Sequence, residues 1–275
     1  MNIIEQLVEA KSRDGRESED AIFFSPAYAA VIDGATDKTG RRFAGLPGGL
    51  FAARSILRTM ERLDPGLDIR GFVDGLSQGL REDIARASPG FDPRTDDGPS
   101  ATLVVYSPAR REVWRVGDAS WAADGAVHLG DSPIDRATAS ARAAFLRARL
   151  LQGVALERLR AQDDGRALVL PLLDVQHAFR NVDAADEPFG FGAIDGRPVP
   201  DRYLEAWPVP DASEIILASD GYPALFPSLA QTEAHLRSEI ERDPLRIGRF
   251  PSTKAVAPDA ISFDDRAYLR LSVTG

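Results

Sequence analysis

Residues 28–34 read Tyr-Ala-Ala-Val-Ile-Asp-Gly, a short apolar run that ends on an acid and a glycine. The run is strand-like: small and β-branched residues, no charge before Asp33, and a turn-forming pair to close it. Two other stretches share the design. Glu214-Ile215-Ile216-Leu217-Ala218-Ser219 leads into Asp220-Gly221, and Asp264-Asp265 opens the run from Ala267 to Val273. Strand side chains alternate, so a carboxylate at a strand end can be aimed out of the sheet at a shared point. Carboxylates gathered in that way repel one another unless something positive sits between them. A hard divalent cation, which takes oxygen ligands, is the usual answer.

Working outward, residues 20–33 read as a hairpin: Ala21–Phe24, a turn at Ser25-Pro26, then the run ending at Asp33. Residues 45–62 carry Leu50, Ala53, Ile56, Leu57 and Met60 on one helical face, and residues 69–87 repeat the pattern through Phe72, Val73, Leu76, Leu80 and Ile84. Two strands follow, at 101–106 and 112–116. Residues 134–161 read as a long Ala/Arg/Leu-rich helical region broken near Gly153, and 163–200 read as irregular. The last third gives a strand at 214–219, a helix at 228–241 and a final strand. Strands and helices come in blocks rather than in alternation, which predicts an α+β fold with mostly antiparallel pairing. No segment reads as a linker, so one domain over 1–275 is expected, with 128–200 as a lid or insertion within it. The Arg-rich stretch (Arg136, Arg142, Arg147, Arg149, Arg158, Arg160) reads as a solvated face with buried stems, and His177 and His235 read as surface residues.

Composition narrows the chemistry. The chain has 33 basic and 42 acidic residues, a net charge of −9. That balance argues against a general binder of nucleic acid or anionic membranes. There is no cysteine, so disulfides, thiolate nucleophiles and iron–sulfur clusters are excluded. The three histidines are scattered, without the spacing of a zinc hydrolase. No apolar run reaches the ~20 residues needed to span a bilayer, and Glu5 and Glu9 interrupt any signal-peptide core. A cytoplasmic, monomeric protein of bacterial style is expected.

The order of the short motifs adds a more specific expectation. Glu19-Asp20-Ala21, Val31-Ile32-Asp33-Gly34, Ser100-Ala101-Thr102, Val116-Gly117-Asp118-Ala119-Ser120, Ala218-Ser219-Asp220-Gly221 and Asp264-Asp265 follow one another at spacings that resemble the metal-dependent protein phosphatases of type 2C. The resemblance spans about residues 15–273. It implies a four-layer αββα sandwich, two antiparallel sheets flanked by helices, with Mn²⁺ or Mg²⁺ at one end. By the same resemblance Asp33 bridges two ions, the Gly34 carbonyl completes one site, and Asp220 and Asp264 hold the other. Glu19 and Asp20 bind through water, and Asp118 belongs to a third ion. The implied reaction is phosphomonoester hydrolysis on phosphoserine and phosphothreonine proteins, by a hydroxide shared between the ions. Such chemistry needs no protein nucleophile, which suits a chain without cysteine. Under it the Arg-rich stretch has a lesser alternative reading, as a guide for acidic phosphoprotein substrates.

The sequence departs from the family pattern at several points. Ala35-Thr36-Asp37 stands where some members carry a histidine that acts as general acid. The position of the family's phosphate-binding arginine is Gly15, with Arg16 one residue late; Arg16 is favoured for the role over Arg13. Ala224 replaces a second acid, so a third ion is expected to be weak or absent. These departures keep two alternatives open: a catalytically weak or inactive binding module on the same scaffold, and a phosphatase for a small metabolite. Asp265 reads as a surface residue, although a one-residue slip would exchange it with Asp264. Gly34–Thr39 ends like a phosphate-binding loop but lacks the glycine before Lys38.

Overall fold

A computed structural model describes residues 1–35 and 40–273. Thr36, Asp37 and the end of the Gly34–Thr39 stretch therefore lie outside the described residues. Among the described residues, ten strands form two antiparallel five-stranded sheets. One sheet has the order β1 (Asn2–Glu9), β10 (Arg266–Ser272), β9 (Glu214–Ala218), β6 (Ser120–Ala123), β7 (Ala126–His128). The other runs β2 (Ala21–Phe24), β3 (Ala29–Gly34), β4 (Ala101–Ser107), β5 (Glu112–Val116), β8 (Glu205–Pro208).

Strand alternation builds the layers. Ala29, Val31, Val104, Tyr106, Ile215, Leu217, Ala267, Leu269 and Leu271 form one buried cluster between the sheets. Their neighbours Ala30, Ile32, Leu103 and Val105 point the other way, into α1 (Gly48–Met60) and α2 (Ile69–Ala87). On the far side Ile216, Ala218 and Tyr268 pack with Leu236 of α6 (Leu229–Arg242). A strand with helices on one face and a second sheet on the other is apolar on both, which is why the deciding runs show no polar alternation. The expected four layers are present. A slip of one residue in β3 would turn both sets to the wrong side.

The least expected region is 133–175. The helix predicted over 134–161 is α3 (Pro133–Leu151) and α4 (Leu156–Ala161), parted near Gly153 as expected. The irregular reading of 163–200 is overturned for its first part, which is helix α5 (Asp164–Val175). Asp-Asp-Gly at 163–165 looks like a turn and Pro171 like a breaker. Instead the Asp163 carboxylate accepts the Arg166 N–H at 2.8 Å and caps the helix.

The solvated-arginine reading also fails at Arg142, whose side chain is fully buried. Its guanidinium donates to both oxygens of Asp163 (2.7 Å to Oδ2) and to the carbonyls of Arg246 (3.3 Å) and Ser252 (3.0 Å). Arg147 donates to the Ile247 carbonyl at 2.8 Å, and Arg166 to that of Thr253 at 3.0 Å. The helical block thus grips the loop after α6 by side-chain donors to backbone carbonyls. Ala143, Leu146 and Leu159 pack beneath these bonds on Leu245 and Ile247. His235 lies between the rings of Phe226 and Phe250 rather than free on the surface.

Candidate functional site

Antiparallel pairing carries the acids to one end of the sandwich. Ala21 pairs with Ile32, so Asp20 and Asp33 lie at the same end of the β2–β3 ladder. Asp33 pairs with Thr102 on β4, and Thr102 donates its hydroxyl to Asp118 at 3.1 Å. In the other sheet Tyr268 pairs with Ala218, which puts Asp220, just past β9, and Asp264, just before β10, at that same end. Asp20, Asp33, Gly34, Asp118, Asp220 and Asp264 all line one cavity of about 590 Å³.

Glycines make the close approaches possible. A Cβ on Gly34 would sit 2.6 Å from two backbone oxygens, those of Glu19 and Gly49. Gly117 has a φ of +92° and touches Thr102, so the chain can turn there and present Asp118. The Glu19 carboxylate lies against Gly49, at the start of α1, where the helix dipole favours an anion.

The electrostatics are those of crowded anions. Burial and the charges of Asp20, Asp118 and Asp264 hold the Asp33 carboxyl well above the ordinary range. Burial does the same to Asp20, which also feels Asp220 and Asp264. Asp118 is pushed up to about 6, by burial first and then by Asp135. Asp220 moves the same way, from burial of its surroundings and from the charge of Asp33. Its side chain faces the open cavity, so water tempers the first cause. The Asp33 and Asp220 carboxyls are in hydrogen-bond contact, so without a cation one of them holds a proton.

Asp264 is different. Its Oδ1 accepts from the Lys11 ammonium at 3.2 Å and its Oδ2 lies 2.7 Å from that of Lys254. Burial would raise this carboxyl, but the Lys254 and Lys11 charges outweigh it and hold it below the usual range. The chain contains 30 arginines and only three lysines, Lys11, Lys38 and Lys254, and two of the three meet on this one carboxylate.

The other predicted residues fall outside the cavity or play another part. Arg16 is mostly exposed and pairs with Asp14 at 2.7 Å, away from the cavity lining. Asp265 is corrected from surface to buried, at 7% exposure. Its two oxygens accept the backbone N–H groups of Lys11 (3.0 Å) and Glu19 (2.9 Å), tying the β1–β2 connection to β10. Sequence reasoning missed Lys11, Lys254 and Arg246. The lysines had a signal in their rarity; Arg246 had none.

Among the described residues no three acidic or histidine side chains stand close enough to hold an ion as they are. The donor set around Asp33 nevertheless fits a hard cation. Asp33 and Asp220 touch, and Asp20 Oδ2 is buried without a hydrogen-bond partner. An orphaned carboxylate oxygen of that kind is costly unless something charged completes it. Around Asp264 the ammonium groups already supply the positive charge.

No protein-family profile and no curated protein matches the sequence. Solved structures match in fold instead. The fold is similar to that of PPM-type phosphatases. The PPM Ser-Thr phosphatase MsPP from Mycobacterium smegmatis is 13% identical, with all of both chains covered and a TM-score of 0.49. The serine/threonine phosphatase PstP from Mycobacterium tuberculosis is 12% identical over 98% of each chain, at 0.46. PppA, a key regulatory component of T6SS in Pseudomonas aeruginosa, is 16% identical over 98% of this chain and 99% of its own, at 0.44.

Proposed function

We propose that this chain is a metal-dependent phosphomonoester hydrolase, acting on phosphoserine and phosphothreonine in proteins. One observation carries the reading: Asp20, Asp33, Asp118 and Asp220, from separate strand ends of both sheets, face one cavity with their charges uncompensated. The choice of serine and threonine rests on the motif resemblance. Asp33, Asp220 and Asp20 would hold a Mn²⁺ or Mg²⁺ ion. Bound there, it would supply an activated water and neutralise phosphoryl oxygens.

The chain's own residues do the rest. Asp33 and Asp220 share one proton when no cation is bound and must release it for both to ionise. Thr102 fixes Asp118 by its hydroxyl, and Ser219 does the same for Asp20. Asp264, held ionised by two ammonium groups, offers a fixed negative charge at the edge of the cluster. Lys254 lines the cavity while paired with Asp264, and adds positive charge to its wall.

Purified protein should hydrolyse an aryl phosphate with Mn²⁺, stop in EDTA, and lose turnover on Asp33→Asn or Asp220→Asn. Full activity in those variants would falsify the reading. A second reading has one observation behind it. Ammonium groups on Asp264 stand where the resemblance puts an ion ligand, which favours a weak or inactive binding module. Tight Mn²⁺ binding without turnover on any phosphopeptide or phosphorylated metabolite would select it.

A further inference from the structure

Arg246 is anomalous in three ways at once. It is 3% exposed, yet among the described residues its guanidinium makes no hydrogen bond or ion pair, and its Nε is buried without a partner. Its backbone has a φ of +53°, in the region that non-glycine residues avoid. It lines the acidic cavity, with its guanidinium carbon 4.1 Å from the centroid of the Phe263 ring, next to Asp264. A buried cation without an ion pair and a left-handed arginine are both costly. Burial pushes the Arg246 guanidinium down to about 10, despite the charges of Asp243 and Glu239.

The surroundings hold it in place regardless. The Arg246 carbonyl accepts from Arg142 and from the Ser252 N–H, and its own N–H donates to the Asp243 carbonyl at 3.0 Å. The Asp243 carboxylate then accepts the Ile247 N–H at 2.9 Å and also the Gly248 N–H. The other arginines on the cavity wall are spoken for or solvated: Arg136 pairs with Asp131, Arg166 donates to Thr253, and Arg249 is exposed. Among the described residues Arg246 is thus the buried arginine of the cavity wall whose planar fork of donors is unfilled, and such a fork matches a phosphoryl group.

We infer that Arg246, rather than Arg16, is the side chain that binds the phosphoryl oxygens of the ligand in this cavity, which Lys254 also lines. The inference rests on the phosphomonoester reading for its ligand class. Phe263 packs against the guanidinium carbon, and the two terminal nitrogens, unlike the enclosed Nε, are left open to oxygen acceptors.

Inorganic orthophosphate titrated calorimetrically into the Mn²⁺-treated protein tests it. The wild type should bind; Arg246→Gln should show no detectable heat, Arg246→Lys should bind at least tenfold more weakly, and Arg16→Gln should match the wild type. Mn²⁺ isotherms and thermal unfolding check that each variant folds. If Arg246→Gln does not fold, Arg246→Lys decides, since it keeps the charge and the apolar stem. Unchanged phosphate affinity in Arg246→Lys, loss in Arg16→Gln, or no binding to the wild type overturns the inference. Arg246-dependent phosphate binding without aryl-phosphate turnover would sink hydrolysis and leave the inference standing.

Discussion

Arg142→Met removes a fully buried guanidinium while keeping a flexible apolar stem. Three groups lose their partner: the Asp163 carboxylate, bound through both oxygens, and the carbonyls of Arg246 and Ser252. Breaking one side of a buried ion pair costs about 3–5 kcal/mol, because the remaining charge is stranded. Asp163 is only partly relieved by the Arg166 and Ala255 N–H groups it also accepts, at 2.8 and 3.0 Å. At roughly 2–4 °C per kcal/mol for a chain of this size, unfolding should begin roughly 6–20 °C lower. Arg142→Met with Asp163→Asn removes the stranded charge and keeps an acceptor for the cap, so it should recover about half of the loss. Differential scanning calorimetry of the wild type, both single variants and the double variant closes the cycle. A single variant within about 2 °C of the wild type, or a double variant no better than Arg142→Met, would refute the view that this pair fastens the 133–175 helices to the loop carrying Arg246 and Lys254.

Other expectations concern the acids, the glycine beneath them and the lysines. Asp33→Asn should raise the metal-free unfolding temperature, by roughly 2–4 °C per kcal/mol of repulsion relieved, while abolishing Mn²⁺-dependent turnover; calorimetry in EDTA beside an aryl-phosphate assay reads both. In EDTA the wild type should become more stable as pH falls from 7.5 to about 5.5. The folded state holds more protons than the unfolded one there, because Asp20, Asp33, Asp118 and Asp220 are raised, with Asp118 at about 6. A flat or opposite profile counts against mutual repulsion, and saturating Mn²⁺ should remove the slope. Gly34→Ala, which meets two backbone oxygens at 2.6 Å, should cost at least ~1–3 kcal/mol and show as aggregation or a lowered midpoint in urea. Lys254→Met frees Asp264 Oδ2 and should tighten Mn²⁺ binding about tenfold or add a second equivalent, and an unchanged isotherm would count against ammonium competition.

The sheets were legible because both their faces are buried. Val31-Ile32 and Ile215-Ile216-Leu217 are apolar at every position, and a short run of that kind closed by Asp-Gly suits a strand sandwiched between a sheet and a helix. The helices at 48–60 and 69–87 have one apolar face and were equally plain. What stayed hidden lacks a local signature. The β1 strand pairs as an edge and buries little, with its Glu5 and Glu9 reaching basic partners on β10. The α5 helix begins with a turn-like Asp-Asp-Gly and contains Pro171, so its cap, not its propensity, establishes it.

The site divides in the same way, and the division has a physical cause. Carboxylates at strand ends announce themselves because the strand before each is readable and its end fixes where the acid goes. Charge compensation does not, since it depends on which cations the tertiary fold brings near. Lys11 follows the first strand and Lys254 sits in a loop more than 240 residues later, yet both reach Asp264. Arg246 is one of 30 arginines, told apart by being buried with no hydrogen bond or ion pair to its guanidinium among the described residues. A fold that already neutralises one acid with two lysines, and among the described residues leaves the buried Arg246 unpaired on a cavity with four raised carboxyls, is incomplete by both signs of charge. A cation alone would satisfy the aspartates and leave Arg246 stranded; an anion alone would do the reverse. A phosphoryl group arriving with a divalent cation satisfies both, which is why the acids and the arginine are better explained together than apart.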